Sequence, residues 1–419
     1  MQILKHTLLV TLLTSCTLSS LVQAAEEEAL PNWKEETLTG DWGGTRADLY
    51  KKGIDLGFNH KSDFLANTSG GLKRGAAWLG RTDARLSLDL DKLWGWSGMS
   101  SFVGYHSVLG SKFNTHYVGA FMGVDNIEVG TNTGQFYQAW VQKNWLEDRV
   151  SLLVGLHQID AEFYVTETSG LFLQPPYGMA NDLAQAGVSG PPIFPVGALA
   201  TRLKLISPDR NFYLQAALTD GVPGDPDQPR GTHIKLGNGD GTLSIVELGY
   251  TPQPAVASAD AEVFNKTAIG FWRYSAQFDT NDGLSNKHNQ GAYFLSEQTL
   301  TVEKGQPSQG LAGFVRFGVA TDDVNVADWT GSVGLRYHGL LNGRDDDVAG
   351  IAVTVNHAGD SYRRVNGSER QETNFEATYR AQVTSYFAMQ PSLQYIHHPS
   401  MDAALQNVWV LGTRFDLEF

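Results

Sequence analysis

The sequence predicts an all-β protein: a transmembrane, up-and-down antiparallel β-barrel of about sixteen strands, preceded by a short N-terminal helix. Three observations support this fold class. Residues 409–419 alternate between an apolar and a charged face and end on an aromatic residue, strand-like segments recur from Gly53 to Phe419, and short turns alternate with long loops. A soluble secreted β-sandwich shares the period of two, and the closing strand disfavours it.

The first 24 residues have the features of a secretory signal peptide. Lys5 supplies a basic start, residues 8–13 are apolar, and small residues precede a cleavage site after Ala24. Residues 13–16 also resemble the lipid-attachment box of a bacterial lipoprotein, which is the second interpretation. If cleavage follows Ala24, the single cysteine of the chain is removed, and the mature protein has no disulfide or thiol site.

A short helix is expected just before the barrel. Thr45 followed by Asp48 indicates a capped helix start, and Lys51 and Gly53 indicate a basic last turn and a stop. This helix is either an N-terminal plug or a surface helix. The predicted organisation is a signal peptide at 1–24, a periplasmic segment with the helix at 25–52, and an outer-membrane barrel at 53–419.

Composition agrees with a barrel although it resembles that of a soluble protein. Hydrophobic residues make up 42% and charged residues 18% of the chain, and the mean hydropathy is −0.24. After the signal, no run approaches the roughly 20 apolar residues of a membrane-spanning helix. Alternating strands average their two faces, so a barrel produces the same values. The net charge of −14 argues against a nucleic-acid partner.

Alternation within strands assigns lipid and lumen faces. Between 80 and 91, the residues expected to face water are Arg81, Asp83, Arg85, Ser87, Asp89 and Asp91, with Leu86, Leu88 and Leu90 among those toward lipid. Later strands place Arg316, Arg336, Glu376 and Arg380 in the lumen. The aromatic residues expected in the interfacial girdles, or in ordinary strand packing, are Trp145, Tyr250, Trp272, Tyr395 and Trp409.

Loop lengths separate the two rims of the barrel. Long connections are expected at 108–134, 161–196 and 220–242, and the segment 252–262 is longer than a link on the turn side should be. Paired prolines stiffen the apolar loop at 161–196. We interpret it as a constriction loop, with an extracellular packing loop or a trimer contact as the alternatives.

Several motifs resemble the carbohydrate-selective porins of the OprB type. The matching stretches read LTGDWGGTRADLYKKGIDL at 38–56, WVQKNWLEDRVSLLVGLHQIDAEFYVTETSGLFL at 140–173, GAYFLSEQTL at 291–300 and GLAGFVRFGVATDD at 310–323. Gly343-Arg344 with Asp346 and Asp347, and the closing phenylalanine, also match. The Trp42-Gly43-Gly44 start and the Phe-x-Arg-x-Gly at 314–318 are the more specific motifs.

The resemblance implies a sixteen-stranded outer-membrane pore of a Gram-negative bacterium, narrowed by inward-folded loops and the N-terminal helix. It implies passive diffusion of glucose and related neutral monosaccharides into the periplasm. The expected partners are these sugars, outer-membrane lipid, the barrel-assembly machinery through Phe419, and two further copies in a homotrimer. The alternatives are a general non-selective porin or a non-conducting structural or enzymatic barrel.

Sugar hydroxyls both donate and accept, so a sugar pathway needs charged donors beside charged acceptors, with weak binding at several sites. The candidate solute-contacting residues are Arg81, Asp83, Arg85, Trp140, Glu167, Glu297, Arg316, Arg336, Glu376 and Arg380. Each can also be an ordinary wall residue that keeps the lumen wet.

No enzyme motif, cofactor motif or metal motif stands out in the sequence. The Gly-x-Ser-x-Gly elbow and the His-Glu-x-x-His helix are absent. The glycine-rich stretch at 237–241 resembles part of a calcium loop but lacks the later bidentate glutamate, so we read it as a turn. We therefore expect no catalytic residue, no cofactor and no metal.

Overall fold

A computed structural model describes residues 30–252 and 263–419 and contains a closed barrel of sixteen antiparallel strands. Each strand pairs with its neighbours in the chain, and the last strand closes the barrel by pairing with the first. The predicted fold class is therefore confirmed. The predicted signal peptide at 1–24 lies outside the described residues.

The strands are β1 (Ile54–Ser69), β2 (Gly75–Asp89), β3 (Met99–Gly110), β4 (Thr133–Trp145), β5 (Val150–His157), β6 (Ala198–Ile206), β7 (Phe212–Asp220), β8 (Thr242–Tyr250), β9 (Asn265–Asp279), β10 (Asn286–Glu303), β11 (Gln306–Ala320), β12 (Ala327–His338), β13 (Val348–Ala358), β14 (Gln371–Thr384), β15 (Phe387–His397) and β16 (Val408–Glu418). The helices are α1 (Trp33–Glu36), α2 (Thr45–Lys51), α3 (Leu90–Trp94), α4 (Asn181–Ala184) and α5 (Asp360–Asn366). Within the ranges described, no helix combines the length and the apolar character needed to cross a membrane.

The two rims of the barrel differ in loop length. The proximal rim holds the start of β1 and the end of β16, and its connections are mostly short, as at 146–149 and 385–386. The distal rim carries the long connections, which we call loop A (residues 111–132) and loop B (residues 158–197), and the segment 221–241. The long link expected at 252–262 joins β8 to β9 at the proximal rim, and residues 253–262 lie outside the described part of the chain.

The outward faces carry the predicted apolar residues. Val315, Phe317 and Val319 alternate with buried residues along β11, and the Trp409 and Leu411 side chains are exposed on β16. Trp145 and Tyr250 are likewise exposed near strand ends, as expected for girdle residues.

Three local assignments were wrong. Trp272 points inward and is 2% exposed, because strand parity places it on the same face of β9 as Tyr274. Leu90 does not face lipid, since β2 ends at Asp89 and Leu90 is a buried residue of α3. Thr45 is not the cap of α2 but its first residue, after Gly44 in a left-handed conformation.

Helix α2 is fastened to the proximal rim by Arg46. The buried guanidinium donates to the main-chain oxygens of Phe419 (2.7 Å) and Leu56 (3.2 Å), and to Thr37 Oγ1 (2.9 Å). Gly53 lets the chain pass into β1: its φ is +91°, and a Cβ there would lie 2.6 Å from the Asp89 oxygen. The helix therefore packs on the seam where β1 meets the end of the chain.

Replacing Arg46 is expected to destabilise this seam. Hydrogen bonds from a charged group contribute about 1.5–3 kcal/mol each, so Arg46→Ala should lower the temperature at which the folded barrel unfolds on a heat-modifiability gel. Lys34→Ala is the control, since Lys34 makes an exposed ion pair with Asp41 (3.3 Å) and such pairs contribute about 0–1 kcal/mol. Equal shifts in the two variants would contradict a seam role for Arg46.

Candidate functional site

Loop B leaves β5 and returns to β6, but its backbone binds inward side chains of β8, β10 and, across the barrel, β14. The Tyr164 N–H donates to Glu247 on β8 (2.9 Å), and the N–H and hydroxyl of Thr168 donate to Glu297 on β10 (both 2.9 Å). Further along, the N–H groups of Leu173 and Gln174 donate to Glu376 on β14 (2.8 and 3.1 Å). Loop B therefore folds into the lumen and crosses it, as predicted for a constriction loop.

Arg316 on β11 fixes the same loop through its carbonyl groups. The Arg316 side chain is buried (1% exposed) and donates to the main-chain oxygens of Tyr164 (2.8 Å), Pro176 (3.0 Å), Tyr177 and Gly178 (2.9 Å). The guanidinium also lies 4.8 Å from the centre of the Tyr164 ring. One arginine thus holds together two parts of loop B that are distant in sequence.

This placement changes the interpretation of three predicted solute-contacting residues. Arg316, Glu297 and Glu376 do lie on the inner wall, but all three are buried under loop B and bind its backbone. We therefore reassign them as loop anchors. Strand alternation predicts whether a side chain points to the lumen or to lipid. It does not predict whether an inserted loop covers that side chain.

Loop A enters the lumen from the other side and meets loop B. The N–H groups of Phe121 and Met122 donate to Glu372 on β14 (2.7 and 3.1 Å). Asn126 donates its N–H to the Leu173 oxygen of loop B (2.7 Å) and accepts from Arg414 on β16 (2.7 Å). The two loops are therefore fixed to the wall and to each other.

Arg414 and Glu128 add electrostatic support to loop A. Arg414 also pairs with Asp63 on β1 (2.6 Å) and lies 3.7 Å from Asp125 of loop A. Within the loop, Glu128 accepts the Asn114 N–H at 3.0 Å. Burial raises the pKa of the Glu128 carboxyl to about 7, so its protonation state changes near neutral pH.

Apolar contacts reinforce both attachments. Loop B packs Ile159, Phe163 and Leu183 against inward residues of β8 to β10, among them Trp272 and Leu295, and the rings of Tyr164 and Tyr293 stack at 3.9 Å. Loop A packs against an apolar patch on the inner faces of β1, β2, β15 and β16, with members Leu65, Leu79, Ile396, Val408 and Val410. These patches explain why the inner wall is not polar throughout.

The anchors Glu247 and Glu372 were missed by the sequence analysis. A signal for them exists, because each glutamate lies at an inward position of its strand. In β8 the neighbouring inward residues are Leu243 and Ile245. A lone carboxylate among buried apolar residues requires hydrogen-bond donors, and backbone N–H groups of an inserted loop can supply them.

Other predicted residues form ion pairs on the lumen wall. Arg81 pairs with Asp83 at 2.7 Å, Arg85 with Glu418 at 3.3 Å, and Arg380 with Asp416 at 3.4 Å. Solvent reaches the Arg85–Glu418 pair most, since its side chains are 35% and 45% exposed, whereas the Arg380–Asp416 pair is partly exposed and Asp83 is buried beside a partly exposed Arg81. The Arg81 guanidinium lies 4.3 Å from the centre of the Phe194 ring of loop B. This side of the lumen thus presents charged donors beside charged acceptors.

The remaining predicted residues differ in accessibility. Trp140 is 7% exposed and stacks on Phe102 at 5.6 Å, so its ring has no open face for a solute. Glu167 is exposed on loop B. Arg336 lies near the proximal end of β12, with its guanidinium 4.8 Å from the Phe264 ring. Glu167, Asp83 and the three arginines of the ion pairs stay candidates for solute contact.

No metal cluster occurs among residues 30–252 and 263–419. In the glycine-rich stretch at 237–241, the Asp240 carboxylate accepts the Gly237 N–H, which is the geometry of a turn. What the lumen offers is hydrogen bonding and charge, in a space narrowed by two loops.

Comparisons with known proteins agree with this geometry. A family model described as "Carbohydrate-selective porin, OprB family" matches residues 73–419. Porin B of Pseudomonas aeruginosa is 23% identical in an alignment 445 positions long, gaps included, that covers 96% of this chain and 95% of that protein. The putative porin QuiX of Acinetobacter baylyi is 24% identical, with 92% and 94% of the two chains covered.

Solved structures give the same fold. The high-pH structure of Pseudomonas putida OprB superposes with a TM-score of 0.81 at 21% identity, and covers 94% of this chain and 100% of that chain. The outer-membrane channel DcaP of Acinetobacter baumannii superposes with a TM-score of 0.54 at 9% identity. The superposition covers 87% of this chain and 97% of that chain. At these identities the likeness concerns the fold alone.

Removing the Arg316 anchor should release loop B from the wall. In Arg316→Ala, four carbonyl groups lose a charged donor, and each lost bond is worth about 1.5–3 kcal/mol. We expect single-channel conductance in planar bilayers to rise by about half or more and to become noisier. Arg336→Ala is the matched control, because it removes an inward arginine near the proximal end of β12, beside the Phe264 ring. If Arg316→Ala and Arg336→Ala changed the conductance by the same amount, or if neither changed it, the result would contradict the role of Arg316 as an anchor.

Proposed function

The chain belongs to the carbohydrate-selective porin, OprB family, and on that premise we propose that it is a passive channel for glucose and related neutral monosaccharides. Family membership rests on the match over residues 73–419, most of the chain. The family is one of carbohydrate-selective porins, so the protein is a porin, and we propose that solutes cross it by diffusion in the outer membrane, without covalent chemistry. The preference for glucose is our proposal.

The observation that carries this proposal is the arrangement of paired opposite charges beside the anchored loops. Arg81–Asp83, Arg85–Glu418 and Arg380–Asp416 each place a donor next to an acceptor. A sugar hydroxyl can accept from the guanidinium and donate to the carboxylate, so each pair replaces part of its hydration shell. Because each pair is neutral overall, a neutral polyol gains more from it than an ion does.

The loops supply the narrow section in which this discrimination can operate. Loops A and B meet at Asn126 and Leu173, and loop B brings Phe194 beside Arg81 and presents Glu167 to solvent. Solute binding at several weak sites permits both entry and exit. We propose Arg81, Asp83, Arg85, Glu167 and Arg380 as the solute-contacting residues.

The rims suggest an orientation in the membrane. In bacterial barrels the short turns are periplasmic and the long loops extracellular, so we propose that the proximal rim and residues 25–52 lie in the periplasm. The signal peptide at 1–24 would direct export, and Phe419 would be recognised by the barrel-assembly machinery before Arg46 covers it. In the folded barrel, Arg46 donates a hydrogen bond to the Phe419 main-chain oxygen at 2.7 Å, so recognition of Phe419 would come before this contact forms.

We also propose a homotrimer, based on a polar row in the middle of the outer wall. His60 on β1, Thr82 on β2 and Ser107 on β3 lie side by side and point outward. His60 Nδ1 lies 2.8 Å from Thr82 Oγ1, and Nε2 lies 2.9 Å from Ser62 Oγ. Polar groups at this depth are costly against lipid, and a neighbouring barrel would cover them.

Cysteine cross-linking tests this interface. Residues 25–419 contain no cysteine, so Ser107→Cys introduces one thiol into the mature chain. We place the polar row next to the three-fold axis, where the same position of neighbouring copies comes together, so oxidation in native membranes should give a covalent dimer through Ser107→Cys. Ser275→Cys, on the outward face of β9, is the control and should stay uncross-linked. Absence of a Ser107→Cys dimer, together with a monomer mass in detergent, would refute the trimer.

Liposome swelling tests the transport proposal. We expect the protein to admit glucose at least a few times faster than a size-matched amino acid. Arg81→Gln should reduce the ratio of the glucose rate to the amino-acid rate, and Arg336→Gln should leave this ratio near the wild-type value. Rates set by solute size alone would identify a general porin. No swelling by a folded barrel would favour a non-conducting structural or enzymatic protein.

A further inference from the structure

Arg273 has an unusual position on the barrel wall. Among the arginines of the sixteen strands, it is the one whose side chain lies on the outward face: it is exposed between the buried Trp272 and Tyr274. In the part of the chain that the structure describes, Arg273 has no ion-pair or hydrogen-bond partner for its guanidinium. A membrane-facing charge without a partner is costly unless something in the membrane neutralises it.

The neighbours of Arg273 place it at the distal edge of the apolar band. Ser244 on β8 and Gln290 on β10 are its register partners, and Thr321 bonds to Gln290. One step toward the proximal rim, the outward residues are Val246, Phe271, Ala292 and Val319. Beyond Arg273 on β9 follow Ser275 and Gln277. Arg273 thus lies where apolar wall changes to polar wall.

A groove of about 770 Å³ lies at this polar row, and Arg273, Gln290 and Thr321 line it. Its other outward lining residues include the small Ala216, Ser244 and Ala292 and the larger Phe271 and Val319. The volume is within the range of about 300–1,000 Å³ for small-molecule sites. The groove is apolar, and its polar contributions come from Arg273, Gln290 and the hydroxyls of the same row.

We propose that this groove binds one phosphorylated lipid of the outer leaflet, with an acyl chain in the groove and the phosphate against Arg273. Two observations favour this occupant. Arginine binds phosphate through its planar fork of N–H donors, and the hydroxyl and amide groups of Ser244, Ser275 and Gln290 can donate to the remaining oxygens. The groove also opens onto the hydrocarbon layer, where acyl chains are present in any case.

The lipid-facing side of the site points away from the solute pathway. Its outward residues on β7 to β11 are on the other side of the wall from loop B, whereas Ala217, Ile245 and Trp272, which also border the groove, pack inward against loop B. The proposed trimer row lies on β1 to β3, across the barrel from β9 in the closed order of strands. Substitutions at the outward positions Arg273 and Ala292 should therefore leave conductance and sugar preference unchanged.

Native mass spectrometry of the detergent-extracted protein tests the proposal. The probes are a bisphosphorylated lipid A and the same lipid without phosphate. We expect one phosphorylated lipid per barrel, binding at least ten times more tightly than the dephosphorylated form. Arg273→Gln should remove this difference, and Ala292→Phe, which fills the groove, should weaken both lipids. Lys143→Gln, an outward basic residue near the proximal rim, is the control and should bind as the wild type does.

Three results would overturn the proposal. Arg273→Gln could bind the phosphorylated lipid as tightly as the wild type does, or both lipids could bind the wild type equally. Oxidative cross-linking of Ser275→Cys in membranes would show instead that a second copy of the chain occupies this face. Unchanged single-channel conductance in Arg273→Gln and Ala292→Phe verifies that the variants fold, so a loss of lipid binding is not a loss of the barrel.

Discussion

The structure depends on hydrogen-bond satisfaction for two loops that leave water and enter the barrel. Each residue of such a loop carries a carbonyl group and, unless it is proline, an N–H group, and an unpaired one costs about 1–3 kcal/mol when buried. Glu247, Glu297, Glu372 and Glu376 accept N–H groups, and Arg316 donates to four carbonyls. The wall thus supplies carboxylates to the N–H groups and a guanidinium to the carbonyl groups. These hydrogen bonds hold the loops inside the barrel and so form the constriction.

Anchoring also divides the inner wall by role. Charges under the loops are buried and committed to backbone groups, whereas Arg85 and Glu418 pair with each other in contact with solvent. The first group fixes the size of the passage, and the second group can exchange partners with a passing hydroxyl. A rigid constriction lined by exchangeable pairs suits selection of a neutral solute without tight binding.

Sequence periodicity predicted the barrel, the strand number and most strand faces, because a wall with lipid on one side imposes a period of two. Val315, Phe317 and Val319 were assigned correctly for this reason. The face of Arg316 was predicted correctly but its role was not, and Trp272 was assigned to a girdle instead of by the parity of its strand. The partners of both residues come from loop B, more than 80 residues away in the sequence. Long-range packing of an irregular loop leaves no period. The site was therefore predictable as a set of inward residues, but their division into anchors and exposed pairs was not.

Amide hydrogen exchange measured residue by residue tests the central claim most directly. If wall carboxylates hold the loops, the amides of Phe121, Met122, Thr168, Leu173 and Gln174 should exchange about as slowly as strand amides, in a folded barrel in detergent or lipid. Exchange of these five amides at the rate of the exposed segment 225–240 would show that the loops are not anchored and would contradict the account.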